Sequence, residues 1–353
     1  MLRRITQNKS GTLRLLSSAI IIMVLSGCAP KKSQYRRKVF LTKTFFESPL
    51  ADGPITVFVH GTKTSLISRL VHQTDHPAGI MPSTEVCTNS VLTRIGPTLN
   101  AVDPQQFPLN TFYYYTWSGK MTFAYRLQAA EKLYEVLRNH KGPVTMITHS
   151  HGCNVALNLA YWANVQQDTS FSIDRLILLA PPVQEVTKPY VYSPIFKRVY
   201  TFYSTADIMQ IGDPQALYWE SYLHTKPSTL IPWLSCRIFD PAPHIIQTRV
   251  LFDRQSPGHL HFLLSRFIRK LPALLDVVTK EAERCGAPNQ HYIVNIPLYD
   301  LPPHIVSAAE LAGRYIPRST HYKIKRSNKS QASRTKQAAR YRSLRTNGHQ
   351  SDS

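Results

Sequence analysis

Between residues 55 and 280, short apolar runs alternate with segments in which apolar residues recur at helical spacing. Ile55–Val59 and Val144–Ile147 are the kind of run that forms buried parallel strands. Phe123–Leu137 repeats its apolar residues at intervals of three and four, which predicts a helix with one buried face. The alternation predicts an α/β fold, a mostly parallel sheet covered by helices on both faces. Further strands are predicted at 111–117, 176–179, 199–203 and 248–252, and further helices at 156–163 and 263–278.

Two stretches interrupt this alternation. Residues 210–247 lack a regular pattern and contain many aromatic residues and prolines, so we interpret them as a candidate lid or acyl-binding wall. Residues 65–110 are equally irregular and would form the opposite wall of a site. Plain packing is the alternative for both stretches.

The sequence Thr148-His149-Ser150-His151-Gly152 lies between a predicted strand and a predicted helix. A serine at such a turn has a strained backbone and a hydroxyl that points into the cleft, with the positive end of the helix directed at it. Crowding at the turn requires small residues two positions before and two positions after the serine. Gly152 meets this requirement, whereas Thr148 is larger.

This turn, together with His60-Gly61-Thr62 after the first strand, resembles the α/β-hydrolase superfamily over residues 55–280. The family motif is Gly-x-Ser-x-Gly, so Thr148 departs from it. The resemblance implies a serine hydrolase that uses a Ser-Asp-His triad with Ser150 as the nucleophile. It also implies that the backbone N–H groups of Thr62 and His151 bind the oxyanion.

The acid of the triad is expected after the strand at 199–203. That strand leads into Ser204-Thr205-Ala206-Asp207, which resembles the acid-bearing turn of the family, and Asp207 would orient the catalytic histidine. Capping a helix is the alternative use of Asp207. The alternates for the acid are Asp213, Asp240 and Asp253.

The histidine of the triad is expected after the last predicted strand. Pro257-Gly258-His259-Leu260-His261 stands there, so the order serine, aspartate, histidine is met. We assign the role to His259, in the loop segment after Gly258, and keep His261 as its alternate, with the long helix starting around Phe262. No cofactor is expected, and no metal site either, because the cysteines lack metal-ligand spacing.

The N-terminus has the pattern of an export signal. Residues 1–27 combine a basic head, an apolar core of about ten residues and a small-residue cleavage site, whereas a membrane-spanning helix needs about 20 apolar residues. Leu25-Ser26-Gly27-Cys28 resembles the lipobox of bacterial lipoproteins, which implies lipidation of Cys28 and a lipid-anchored protein of the cell envelope. Ala29 favours the outer over the inner membrane. The alternatives are an ordinary signal peptide or a short membrane anchor.

Residues 28–50 are interpreted as the N-terminal anchor and linker, and residues 51–316 as the hydrolase domain. Residues 317–353 hold much of the formal net charge of +21 and few large apolar residues, so we expect a disordered basic tail. Binding of an anionic surface or polymer and plain solvation are both open roles for this tail. A nucleic-acid partner is disfavoured by export and by the lack of a groove-reading motif.

The predicted reaction is acyl transfer to water through an acyl-enzyme. Carboxylic esters of lipids or of other acylated envelope molecules are the expected substrates, because the chain is expected at a membrane. Thioester or amide hydrolysis by the same triad is one alternative. A catalytically silent lipoprotein that binds partners or anionic polymers is another, because a fold does not guarantee an activity.

Overall fold

The computed structural model describes residues 46–62, 78–86, 90–213, 234–286, 290–297, 301–307 and 310–311. Residues 1–45, most of the candidate lid and the basic tail lie outside this part, so the predictions for the signal, Cys28 and the tail stay predictions. No helix in the described part is long and apolar enough to cross a membrane.

The described strands form one sheet. They are β1 (Phe46–Glu47), β2 (Ile55–Val59), β3 (Gly79–Pro82), β4 (Phe112–Thr116), β5 (Val144–His149), β6 (Arg175–Leu179), β7 (Val199–Tyr203), β8 (Ile245–Phe252), β9 (Gln290–Ile296) and β10 (His304–Ile305). The order across the sheet is β1-β3-β4-β2-β5-β6-β7-β8-β9-β10. The strands from β4 to β9 in this order are all parallel. β3 is antiparallel to β4, and β10 is antiparallel to β9. The prediction of a mostly parallel sheet is confirmed.

Helices cover both faces of the sheet. They are α1 (Ile95–Asn100), α2 (Phe123–Leu137), α3 (His151–Leu157), α4 (Leu159–Val165), α5 (Ile208–Ile211), α6 (Ser265–Ile268) and α7 (Leu271–Cys285). Successive strand residues point to opposite faces, so Met146 packs in one core cluster with residues of α2, α3 and α4. Ile147 packs in the other cluster with residues of α1, α6 and α7. The predicted covering of both faces is therefore confirmed.

The predicted helix at 263–278 is interrupted. A 3₁₀ helix (His259–Leu263) is followed by α6 and then by α7, which begins at Leu271 with Pro272 in its first turn. Proline has no N–H to donate and clashes with the preceding turn, so it is tolerated at a helix start and not in a helix interior. The apolar spacing continues across this break, which is why the pattern alone predicted one helix.

Two boundaries also differ from the predictions. The stretch 65–110 is not irregular throughout, since β3 and α1 lie within it; β3 has only four residues, too few to show an alternating pattern. β8 begins at Ile245, inside the predicted lid, and includes Gln247. The buried Gln247 amide bonds the backbone N–H and C=O of Phe239 at 2.7 and 3.0 Å, so a polar residue fits inside this strand.

Candidate active site

The predicted site residues follow four parallel strands. His60-Gly61-Thr62 follows β2, Ser150 follows β5, Asp207 lies beyond β7 and His259 lies beyond β8. The carboxyl ends of parallel strands lie at the same edge of a sheet, where ligands bind in open α/β folds. The topology therefore brings these segments to one edge.

Ser150 lies in a strained turn between β5 and α3. Its φ of 54° and ψ of −131° are unusual for a residue with a Cβ atom. The Ser150 N–H donates to the Leu179 carbonyl at 2.9 Å, and the Ser150 carbonyl accepts from the Cys153 N–H at 2.9 Å. These bonds fix the turn against the end of β6 and the first turn of α3, so the strain is held by its surroundings.

Two glycines permit a close approach of this turn to the end of β2. A Cβ atom on Gly152 would lie 2.5 Å from the His60 carbonyl oxygen and 2.6 Å from that of Val59. A Cβ atom on Gly61 would lie 2.7 Å from the Ser150 Cβ. Any larger residue at either position would push the Ser150 turn and the end of β2 apart. The crowding expected from the sequence is therefore present.

Thr148, the departure from the family motif, is accommodated inside the sheet. Its side chain is fully buried, and its hydroxyl lies 3.2 Å from the Ile177 carbonyl and 3.1 Å from the Cys153 sulfur. Cys153 is a small buried thiol, and burial raises its pKa to about 12. The larger residue thus has partners for its hydroxyl and does not displace the turn.

His259 and Asp207 form a buried pair. The His259 Nδ1–H donates to Asp207 Oδ2 at 2.7 Å, with His259 only 7% and Asp207 1% exposed. Because the carboxylate is an acceptor, the Nδ1 atom carries the proton and the lone pair of the neutral ring is on Nε2. A histidine held in this tautomer can accept a proton at Nε2.

His149, directly before Ser150, links the serine turn to His259. Its Nε2–H donates to the His259 carbonyl at 3.3 Å, and the two ring centroids are 4.7 Å apart. Burial, together with nearby His259 and His60, holds the pKa of His149 well below its ordinary value. His149 is therefore a neutral donor that fixes the His259 backbone beside the serine turn.

Asp207 makes both kinds of contact that the sequence analysis gave as alternatives, one to a histidine and one to a helix N-terminus. Its Oδ2 bonds His259, while its Oδ1 accepts the Gln210 N–H at 3.0 Å and so caps α5. The turn itself is held by Arg237, which donates to the carbonyls of Ser204, Thr205 and Asp207 at 3.0, 3.2 and 3.1 Å. Sequence reasoning missed Arg237, because it lies 30 residues beyond Asp207 in a segment without a regular pattern.

The alternates for the acid lie elsewhere. Asp240 pairs with Lys188 on the surface at 2.9 Å, and Asp253 is exposed at a φ of 45°. Asp213 is buried and faces His151, with Nε2 and Oδ1 3.3 Å apart. Of the four candidate aspartates, Asp207 is the one bonded to His259.

The alternate histidine caps its own turn. The Nδ1 atom of His261 accepts the Gly258 N–H at 3.1 Å. His259 and His261 belong to the same 3₁₀ helix, so the prediction that His259 stands in a loop before a helix starting around Phe262 is wrong. Gly258, with φ −83° and ψ 174°, has an extended backbone that any residue adopts, so it is not what directs His259 inward.

The segment with Thr62 is fixed through His60. The Trp117 N–H donates to His60 Nε2 at 3.1 Å, the Trp117 indole N–H donates to the His60 carbonyl at 2.8 Å, and the two rings stack. The His60 Nδ1–H donates to the Gly61 carbonyl at 2.6 Å. Thr62 follows in a buried position. The strand end that carries one predicted oxyanion donor is thus rigidly held.

No family model matches the chain, and no curated protein matches it. Among solved structures, a hydrolase candidate from Agrobacterium vitis S4 is similar over 65% of this chain and 89% of its own, with 11% identity and a TM-score of 0.35. The esterase of the archaeon Pyrobaculum calidifontis is similar over 71% and 68%, with 12% identity and a TM-score of 0.30. A mutant of the esterase rPPE is similar over 68% and 75%, with 9% identity and a TM-score of 0.32. At such low TM-scores the likeness adds nothing to the strand order and the site geometry of the chain itself.

Proposed function

We propose that the protein is a serine hydrolase that cleaves carboxylic esters with Ser150 as nucleophile, His259 as general base and Asp207 as the acid that orients it. The observation that carries the proposal is the buried His259–Asp207 hydrogen bond of 2.7 Å, at the sheet edge where Ser150 occupies its strained turn. Strained backbone at a non-glycine residue is costly and is retained mainly at functional sites.

In this proposal His259 Nε2 accepts the hydroxyl proton of Ser150 as the serine oxygen attacks the ester carbonyl. Asp207 stabilises the imidazolium that results. The backbone N–H groups of Thr62 and His151 hold the oxyanion, and the alcohol leaves with the proton from His259. Water then attacks the acyl-enzyme by the same route in reverse.

The proposal includes a location. Cys28 is lipidated and anchors the protein in the bacterial cell envelope, with the outer membrane favoured, and the substrates are acyl esters of lipids or other envelope molecules. Sequence is the support for this part, since residues 1–45 lie outside the described structure. The basic tail at 317–353 attracts the protein to anionic surfaces or polymers.

A fluorophosphonate probe tests the nucleophile without knowledge of the substrate. The probe should label the purified protein and should fail to label Ser150→Ala. His259→Ala should lose labelling almost as fully, because the members of a triad act as a unit, whereas His261→Ala should retain most of it. Equal labelling of wild type and Ser150→Ala would refute the assignment. A folded wild-type protein that takes up no probe would favour the catalytically silent alternative.

A second measurement compares the rates at which the protein hydrolyses different acyl bonds. A p-nitrophenyl ester, a thioester and an anilide of the same acyl chain should be hydrolysed in the order ester, thioester, anilide if esters are the substrates. A faster thioester or anilide would assign the same triad to the corresponding alternative reaction.

A further inference from the structure

Four buried polar side chains form a closed ring behind the Ser150 turn: Arg126, His151, Asp213 and Gln184. Arg126 Nη1 donates to His151 Nδ1 at 3.1 Å, and His151 Nε2 lies 3.3 Å from Asp213 Oδ1. Gln184 closes the ring, since its Nε2–H₂ donates to Asp213 Oδ2 and its Oε1 accepts from Arg126 Nη2 at 3.1 Å. All four residues are at least 95% buried.

The ring fixes the protonation of His151. A guanidinium has no acceptor, so His151 Nδ1 must be the acceptor and the ring proton is on Nε2, facing the Asp213 carboxylate. Burial and the charge of Arg126 lower the pKa of His151, Asp213 opposes them, and the net pKa lies below the ordinary value, which favours the neutral imidazole. Burial alone would raise the pKa of Asp213, but His151, Arg126 and Gln184 together hold that pKa well below its ordinary value. The ring therefore contains one cation, one anion and a neutral histidine.

Such a ring contributes little to the stability of a core. Buried ion pairs lose much of their attraction to desolvation, and well-packed apolar residues are often as stable or more so. The members come from separate segments, with Arg126 on α2, Gln184 after β6 and Asp213 after α5. Arg126 and Asp213 lie against the two ring nitrogens of His151, the residue directly after the nucleophile, and Gln184 joins them to each other. The arrangement holds the His151 side chain in a single orientation.

We propose that Arg126, Asp213 and Gln184 are positioning residues that hold the His151 backbone N–H in the geometry required by the oxyanion. This inference rests on the proposed hydrolase function and adds residues to it that the Ser-His-Asp triad does not include. The hydrogen bond to Nδ1 and the Asp213 carboxylate 3.3 Å from Nε2 restrict the side-chain rotations of His151 and thereby restrain its backbone at the first residue of α3. Preorganised donors act because they need no rearrangement as the oxyanion forms.

The matched test compares two carboxylate-to-amide variants. In Asp213→Asn the amide N–H₂ faces a donor in either orientation, the His151 Nε2–H or the Gln184 Nε2–H₂, so the variant breaks the ring without changing side-chain volume. Asp168→Asn is the control, because Asp168 is a bonded carboxylate outside the ring, accepting from the Tyr134 hydroxyl at 2.8 Å and from the Phe171 N–H at 3.1 Å. Rates are measured on p-nitrophenyl acetate and divided by the amount of Ser150 that the fluorophosphonate probe labels to completion, so unfolded protein does not count.

Removing an oxyanion donor outright costs about 10²–10³-fold in kcat, so a displaced donor should cost about 10–100-fold. We expect this loss in Asp213→Asn, with KM changed by less than about threefold and the affinity for a boronic acid inhibitor weakened in parallel with kcat. Asp168→Asn should lose stability but keep its kcat per labelled serine. An unchanged kcat per labelled serine in Asp213→Asn would overturn the inference and leave the hydrolase proposal standing.

Asp213→Asn removes a buried charge, so Gln184→Met provides a second arm for the case in which that variant is recovered unfolded. This variant keeps Arg126 and Asp213 and removes only the side chain that braces them. A kcat per labelled serine that falls by at least about threefold, with KM retained, supports the inference. A kcat equal to wild type in the folded Gln184→Met protein refutes it. Failure of the wild type itself to hydrolyse esters or to take up the probe would instead reject the hydrolase proposal.

Discussion

Replacing Asp207 by asparagine should abolish ester hydrolysis while the fold persists, because the two carboxylate oxygens of Asp207 have separate tasks. Oδ1 accepts the Gln210 N–H at 3.0 Å and caps α5, and Oδ2 accepts the His259 Nδ1–H at 2.7 Å. In Asp207→Asn the amide oxygen can keep the cap, because Asn and Asp are about equally good at this position. The amide N–H₂ then faces His259.

The consequence for His259 is a change of tautomer. Facing an N–H₂ donor, its Nδ1 becomes the acceptor and the ring proton moves to Nε2, the atom that must accept the proton of Ser150. The same exchange in a serine protease triad lowers kcat by about 10⁴-fold, and we expect a loss of that order here. Asp207→Ala removes the cap, worth about 1 kcal/mol, and leaves a buried N–H without an acceptor, worth about 1–3 kcal/mol, so it should lower the free energy of unfolding by roughly 2–4 kcal/mol.

The assay pairs kcat/KM on p-nitrophenyl acetate with urea unfolding for both variants. Asp240→Asn is the control, because Asp240 is exposed and pairs with Lys188 on the surface, and it should match the wild type in both measurements. An Asp207→Asn protein that keeps a tenth or more of wild-type kcat/KM would refute the role of Asp207 as the acid. Equal stability of Asp207→Ala and wild type would refute the capping role.

Two further predictions concern the crowded turn and the anchor. Gly152→Ala should lower the free energy of unfolding by about 1–3 kcal/mol, measured by urea unfolding, because its Cβ would lie 2.5 Å from the His60 carbonyl oxygen; unchanged stability would show that the backbone there can give way. Cys28→Ala should leave the protein without a lipid mass increment and free of membranes washed at high salt, which removes attraction through the basic tail. Retention of Cys28→Ala on washed membranes would contradict the lipid anchor, and a truncation after Arg318 measures the contribution of the tail.

The sequence alone was sufficient to predict those structural features whose cause lies within a few consecutive residues. Ser150 lies at a strand-to-helix turn that five consecutive residues, 148–152, define. The strand before this turn is a short apolar run, so both features are visible in the sequence. The break before α7 also has a local cause in Pro272, although the apolar spacing concealed it. Arg126, Gln184 and Arg237 were missed because their partners are up to 58 residues away in the chain. Such contacts follow from the packed fold and leave no pattern in a single sequence.

The surroundings of the histidines, rather than their number, support His259 as the proposed base. His60 has both ring nitrogens bonded to backbone, one to the Gly61 carbonyl and one to the Trp117 N–H. His149 donates its Nε2–H to the His259 carbonyl, and burial holds the pKa of His149 well below the ordinary value.

His151 and His259 each face a carboxylate, but a second proton on His151 would have to sit on Nδ1, against the guanidinium of Arg126 at 3.1 Å. Protonation there would place two cations in contact in a buried ring, which is strongly unfavourable at low dielectric. A second proton on His259 would sit on Nε2, opposite the nitrogen that Asp207 already holds, so the carboxylate stabilises the charge instead of a cation opposing it. The described residues thus contain two buried histidine–aspartate pairs, and the position of Arg126 leaves the His259 pair as the one suited to act as the proposed base.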